Sequence, residues 1–298
     1  MKKALIYINL SLAMVFWGLT FIWTKQILEF YNPITIITVR LIISIFFMFL
    51  FNLFLKQLQK IRKEDFWQFV LLSLFQPFLY FICENYGLMY VSTTVTAVII
   101  AMIPLFTPIA GHIFFKEKLT RFFILGMIIS FFGVLMVVMK NDLSFSAHPF
   151  GVFLLFLAIL SAIIYTVLIY KLKDRYNVFS ILFWQNLIGS IMFVPLFLIT
   201  DLGHVLQVGF ISGTIMPFLL LAILGSSLAY IFFISAIQEL GMSTANLFTN
   251  TIPIFTAIAA FLVLGERLTI LNMAGIVIVL SGVVISQVRF KKISRTNY

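Results

Sequence analysis

Ten apolar stretches follow one another along the chain, at 4–25, 33–55, 66–91, 94–115, 121–139, 149–171, 178–200, 212–238, 242–264 and 269–289. Each is close to the roughly 20 residues that a helix needs to cross the hydrocarbon core of a bilayer. Lipid offers the backbone no hydrogen-bond partners, so such stretches are expected to be helices that satisfy their own amides. The shortest separation is Glu239-Leu240-Gly241, between the eighth and ninth stretches. A soluble fold is excluded by composition, because 62% of residues are hydrophobic and 10% charged, too few charges to coat a globule. The loops leave no room for a folded extramembrane domain. Met1-Lys2-Lys3 ahead of an apolar run imitates a secretory signal. Without a small-residue cleavage site behind it, the run reads as a retained first helix.

Lysine and arginine set the orientation, since they accumulate in cytoplasmic loops. With a cytoplasmic N-terminus, sixteen of the twenty fall inside: Lys2 and Lys3; Lys56, Lys60, Arg62 and Lys63; Lys116, Lys118 and Arg121; Lys171, Lys173 and Arg175; Arg289, Lys291, Lys292 and Arg295. Three fall outside (Lys25, Lys140 and Arg267), and Arg40 lies within a span. One missed helix would invert every later loop, so the bias argues for ten spans, both termini in the cytoplasm and a cell (inner or plasma) membrane location. The net charge of +10 is then topological and implies no nucleic-acid partner. The single Cys83 and the scattered His112, His148 and His204 offer no disulfide, metal or cofactor site.

Residues 103–134 align with 252–283 at a constant offset of 149, and 13 of the 32 positions are identical. They include Pro104/Pro253, Glu117/Glu266, Thr120/Thr269, Gly126/Gly275 and Gly133/Gly282. Tyr31-Asn32 and Tyr176-Asn177 add a fainter echo, each pair preceding the second helix of its unit. The chain therefore divides into repeats at 1–140 and 141–298. Five spans in each make the second copy enter from the opposite side, the inverted arrangement with which secondary transporters build two gates around a central site. Glu117 would lie at the cytoplasmic face and Glu266 at the outer one.

The segments "IPLFTPIAGHIFFKEKLTRFFILGMIISFFGVLMVV" and "IPIFTAIAAFLVLGERLTILNMAGIVIVLSGVVISQV" resemble the doubled P-x-F … E-x-L-T … G … G-V pattern of EamA-type permeases in the drug/metabolite transporter superfamily. "FWGLTFIWTK" and Arg40 fit the same pattern, and the resemblance covers essentially the whole chain. It implies an all-α membrane protein of ten helices in two inverted five-helix repeats. It also implies a central cavity and export of amino acids, other metabolites or drugs. The sixth span departs from the first in having Ala162-Ile163 where the first has Trp17-Gly18.

Several residues have both a packing reading and a functional one. Thr120 and Thr269 stand where helix N-caps belong, and Glu117 and Glu266 can bond loop amides or a nearby cation. The glycine pairs, seven residues apart, suit close helix packing. Pro104 and Pro253 are read as mid-span kinks, simple or cavity-lining, and as candidate hinges. Arg40 and Glu84 stand at equal depth below the outer face with opposite charge, which suggests a pair. It is either a static link between helices or a cavity-facing pair that meets a zwitterion or carries a coupling proton. Asn246, Thr249 and Asn250 form a polar face at i, i+3 and i+4. Trp17, Thr20, Tyr165, Trp184, Gln185 and Tyr230 complete an apolar cavity with sparse polar points.

No phosphate-binding loop, metalloprotease motif or catalytic constellation is present in the sequence, so no enzyme is expected. A secondary active exporter of small metabolites such as amino acids, working by alternating access in the bilayer, is the leading reading. A hydrophobic-drug exporter of the same fold is the alternative, and a membrane-embedded lipid-modifying enzyme or a structural partner stands behind both.

Overall fold

The computed structural model describes residues 2–116, 121–138 and 147–286. Glu117, Lys118, Leu119, Thr120, Lys140 and the basic residues from Arg289 onward lie outside them. Among the described residues, eight helices are long and apolar enough to cross a membrane: α1 (Ala4–Leu28), α2 (Pro33–Leu55), α3 (Lys63–Tyr90), α4 (Thr93–Phe114), α6 (Pro149–Leu172), α7 (Val178–Thr200), α8 (Ser212–Leu240) and α9 (Met242–Leu264). Two shorter apolar helices, α5 (Arg121–Val137) and α10 (Ile270–Ser286), occupy the remaining expected positions. No strand occurs among the described residues. Apolar side chains cover the exterior, and Phe54, Ile199 and Ile270 are each more than 80% exposed. That surface suits lipid and would be unstable in water.

Local chemistry fixes the helix ends. Asn32 and Asn177 occupy the N-cap positions of α2 and α7. The Asn177 side chain accepts the Ser180 amide at 2.8 Å. In α2 the matching Thr35 amide donates instead to Asp201, at 2.9 Å. Thr269 and Asn272 cap each other reciprocally at the start of α10, as the N-cap reading of Thr269 requires. Its repeat mate Thr120 lies outside the described residues. The segments before α5 and α10 begin alike, with Lys116 (φ 56°) and Gly265 (φ 67°) both left-handed and 149 positions apart.

Packing follows a matched plan. α1 lies against α8 and α9, while α6 lies against α3 and α4. α2 and α7 run antiparallel, as their rungs show: Thr35 with Asp201, Ser44 with Asn186, and Gln57 with Asn177. α5 and α10 cross antiparallel through the repeat glycines. A Cβ on Gly282 would stand 2.7 Å from the Gly126 carbonyl oxygen, and one on Gly275 would stand 2.8 Å from that of Gly133. Backbone cannot retreat as a flexible side chain can, so only glycine permits this approach.

Four spans are interrupted, again in matched places. α3 is kinked within Leu74–Leu79, where the Gln76 backbone is extended (φ −148°, ψ 121°), and α8 contains a π-helical turn at Leu221–Leu228. α4 breaks at Ala101–Met102, and α9 tightens to 3₁₀ geometry over Phe248–Thr251. This corrects the expectation for the prolines. Pro104 and Pro253 do not kink a continuous helix; each sits in the first turn of the helical piece that follows the break. There a missing amide hydrogen removes no helical bond.

Candidate functional site

The interruptions converge on a cavity in the middle of the bundle. Its wall is built at repeat-related positions. At an offset of 145, Trp17 and Ala162, Thr20 and Tyr165, and Phe21 and Thr166 all line it. At an offset of 149, Phe81 and Tyr230, Glu84 and Phe233, Ile100 and Thr249, and Ile103 and Ile252 do the same. Arg40, Gln76, Tyr80 and Asn246 complete the lining. About 40 Å³ of the cavity is open to the centre of a water-sized sphere, room for about three waters at ~10–15 Å³ each. The walls therefore stand close together in this conformation.

Aromatic rings form the frame. Trp17 meets Tyr230 and Phe233 edge-on, with centroids 5.1 and 4.8 Å apart. Tyr165 stands edge-on to Tyr230 at 6.3 Å. The Trp17 indole N–H donates to the Gly225 carbonyl at 3.2 Å, within the α8 bulge. The Gln76 side-chain amide, at the α3 kink, donates to the Tyr230 hydroxyl. A kink or a π bulge frees carbonyls and swings side chains off the helical register, which explains why both polar contacts sit there.

Arg40 is 2% exposed and Glu84 9%, and both line the cavity. The expected direct pair between them is not formed: among the described residues no ion pair joins them. The Arg40 Nε donates to the Ser226 hydroxyl at 2.8 Å, and the guanidinium lies 4.0 Å from the centre of the Phe81 ring. Glu84 interacts with the Tyr80 hydroxyl, one turn earlier on α3. Equal depth brought the two charges to one cavity, but the rotation of α2 points the guanidinium toward the α8 bulge. Behind it runs a buried polar network in which Ser44 meets Ser227 at 2.7 Å and accepts from Asn186 at 3.0 Å.

Other expected site residues divide. Asn246 and Thr249 line the cavity; Asn246 donates to Thr107 at 3.0 Å, and Thr249 donates to the Asn246 carbonyl at 2.7 Å. Asn250 does not line it, because the 3₁₀ turn advances the phase of the helix before that residue. Trp184 is also outside, its indole donating at 2.8 Å to the Gln59 carbonyl at one end of the bundle. Gln185 is buried beside Tyr165, behind the wall. The sequence reading passed over Gln76, Tyr80, Phe81, Thr166, Ser226 and Phe233. Gln76-Pro77 and Ser226-Ser227, polar or helix-breaking residues inside apolar runs, were the available signals.

Hydrogen bonds also link the elements at both ends of the bundle. At one end the Tyr176 hydroxyl accepts the Arg62 amide at 3.0 Å and donates to Asp65 at 2.8 Å. Asp65, 1% exposed, also receives Arg175 at 2.5 Å. Burial pushes the pKa of the Tyr176 hydroxyl up, so it remains a donor at physiological pH. At the other end the Tyr31 hydroxyl accepts the Ile211 amide at 3.1 Å and donates to the Gly209 carbonyl at 2.8 Å. Arg62 and Ile211 each precede a 3₁₀ turn and lie 149 positions apart. At this second end Glu266 also accepts from the amides and hydroxyls of Thr93 and Thr94, capping α4 across the bundle.

Comparison with known proteins bears on this arrangement. The model of the EamA-like transporter family matches residues 4–139 and again 149–287. An uncharacterized transporter of Archaeoglobus fulgidus is 30% identical over 288 residues, covering 96% of this chain and 98% of that protein. The uncharacterized transporters YcxC and YdfC of Bacillus subtilis are 29% and 26% identical, over 92% and 99% of this chain and 90% and 94% of their own lengths. One solved crystal structure superposes with a TM-score of 0.70 at 11% identity, covering 95% of this chain and 96% of that one, and shares the fold.

Proposed function

The chain belongs to the EamA-like transporter family, and on that premise we propose that it is a secondary active transporter that exports small metabolites, amino acids among them, by alternating access. The observation that carries this reading is the cavity wall, which seven pairs of repeat-related positions line together. A wall built twice from oppositely directed elements suits a site that must open to each side in turn. The antiparallel pairings of α2 with α7 and α5 with α10 support two inverted five-helix repeats, divided near residue 140, with ten spans in all. The lysine and arginine bias supports cytoplasmic termini in the cell membrane.

The tyrosine latches supply the gates. Tyr176 and Asp65 hold the end at Arg62, and Tyr31 holds the opposite end. Release of one while the other stays closed would open the cavity to one side. The breaks in α4 and α9, just ahead of Pro104 and Pro253, are the points where each half-helix would swing. Export of hydrophobic drugs is the competing substrate reading, favoured by the seven aromatic rings in the lining. Single cysteines along 246–256, in a Cys83→Ser background, test the path. Positions 246, 249 and 252 should label from both sides of the membrane and be protected by transported compounds. A stretch unlabelled from both sides in every condition would remove α9 from the path.

A further inference from the structure

The two ends of the bundle differ in how a connection covers the start of a helix. Between α2 and α3, residues 57–62 cross the start of α7 without helical turns. Three side chains spaced four residues apart hold them there. The Tyr176 hydroxyl accepts the Arg62 amide, the Ser180 hydroxyl accepts the Gln59 amide, and the Trp184 indole donates to the Gln59 carbonyl. At an offset of 145 the equivalent residues at the other end are Tyr31, Thr35 and Val39. The offset then rises from 145 to 149, so the stretch between α7 and α8 is four residues longer than its mate. It coils into a short helix, Leu202–Val208, instead of lying flat. Beneath that helix is a pocket lined by Tyr31, Thr35 and Val39, with Val205 and Phe218 across from them. About 400 Å³ of it is open to the centre of a water-sized sphere, against about 40 Å³ in the central cavity.

The lining selects hydrocarbon. Its three hydroxyls are all engaged within the protein: Tyr31 with Gly209 and Ile211, Thr35 with Asp201, and Thr214 with the Ile211 carbonyl. Among the described residues no charged side chain lines it. Such a pocket neither orders water nor recognises a polar metabolite. Leu206 and Phe210, 74% and 78% exposed, form its mouth, so it opens toward lipid. An apolar cavity of this size weakens a fold unless something packs it. At the opposite end the chain packs the equivalent space with its own backbone around Gln59.

We propose that this pocket binds one acyl chain of a bilayer phospholipid, taken from the leaflet at the Tyr31 end. The chain enters between Leu206 and Phe210 and lies along Tyr31, Thr35 and Val39, as residues 57–62 lie along Tyr176, Ser180 and Trp184 in the other half. Lipid thus packs the Tyr31 latch from below, while the protein packs the opposite latch itself. The headgroup stays outside the uncharged lining and is not selected. The site shares no lining residue with the central cavity, so it does not depend on what crosses there.

The test uses the full chain in phosphatidylcholine nanodiscs, doped with a phosphatidylcholine that carries a diazirine midway along one acyl chain. After illumination the labelled residues are mapped by mass spectrometry. Lipid around the protein should label Phe54 and Ile199, which are 84% and 83% exposed. A seated chain should also label Tyr31 and Phe218, which are buried from the surrounding lipid at 7% and 8% exposed. Val39→Trp installs the ring that the opposite end carries at Trp184. It should lower the label at Tyr31 and Phe218 several-fold and leave Phe54 and Ile199 unchanged. If that variant fails to fold, Leu206→Trp narrows the mouth at an exposed position and should act in the same way. Excess lysophosphatidylcholine should compete for the two buried positions, and excess tetraphenylphosphonium should not. Three results would each overturn the proposal. They are Tyr31 and Phe218 unlabelled in folded protein, label there undiminished in the folded variants, and label there that the lysolipid fails to displace or tetraphenylphosphonium displaces.

Discussion

Removing a single hydroxyl at each end of the bundle should shift the protein in opposite directions. Tyr176→Phe keeps the ring, which stands edge-on to Phe69 at 5.0 Å, and deletes two cross-bundle bonds. One is a neutral bond to the Arg62 amide and the other goes to the buried Asp65 carboxylate. With about 0.5–1.5 kcal/mol for the first and about 1.5–3 for the second, that latch loses roughly 2–4 kcal/mol. Tyr31→Phe deletes two neutral bonds, to Gly209 and Ile211, and loses about 1–3 kcal/mol. At tenfold per 1.4 kcal/mol, the closed-to-open ratio at each face should fall by at least about 30-fold and about 5-fold respectively. A cysteine at Ala162, in the cavity wall, reports this in the Cys83→Ser background. An impermeant maleimide should react faster from the Arg62 side in Tyr176→Phe, and faster from the other side in Tyr31→Phe. Equal acceleration from both sides, or none in either variant, would refute the two-latch reasoning.

Three further outcomes are expected. Glu266→Ala strips the cap from α4 and should lower its stability by about 1–3 kcal/mol, read as an earlier thermal unfolding midpoint, whereas Glu266→Gln should cost less. An unchanged midpoint in the alanine variant would remove the capping role. Gly282→Val drives a side chain into the Gly126 carbonyl and should cost at least about 1–3 kcal/mol by overpacking, while Gly203→Ala, with nothing within 4 Å, should be silent in the same unfolding assay. A cysteine at Gln207 should react with an impermeant reagent added to intact cells and one at Arg62 should not; the reverse pattern would invert the topology.

The elements that the sequence made legible are those written in length and period. Span positions followed from apolar runs, and the α5/α10 glycines followed from the 149-residue offset. Depth was legible too, which brought Arg40 and Glu84 to one cavity. Rotation about the helix axis was not. Trp184 and Asn250 were assigned to the cavity on depth and spacing, yet a change in local winding decides where such side chains point. From Asn246 to Asn250 a regular helix turns to within about 40° of the starting face, whereas the 3₁₀ turn carries it to roughly 80°. The kink at Gln76 and the π turn around Ser226 have no period in the sequence, so Gln76-Pro77 and Ser226-Ser227 marked interruptions without showing where their side chains would point.

Transport itself is the most direct test of the central claim. The full chain, reconstituted in vesicles preloaded with one unlabelled compound at a time, is offered the same compound in radiolabelled form outside. The panel holds amino acids, other small metabolites and tetraphenylphosphonium. An alternating-access carrier should take up label transiently above its equilibrium level for at least one compound, and Tyr31→Phe and Tyr176→Phe should both change the rate. If no compound enters faster than it enters protein-free vesicles, the cavity between the matched halves is not a transport site.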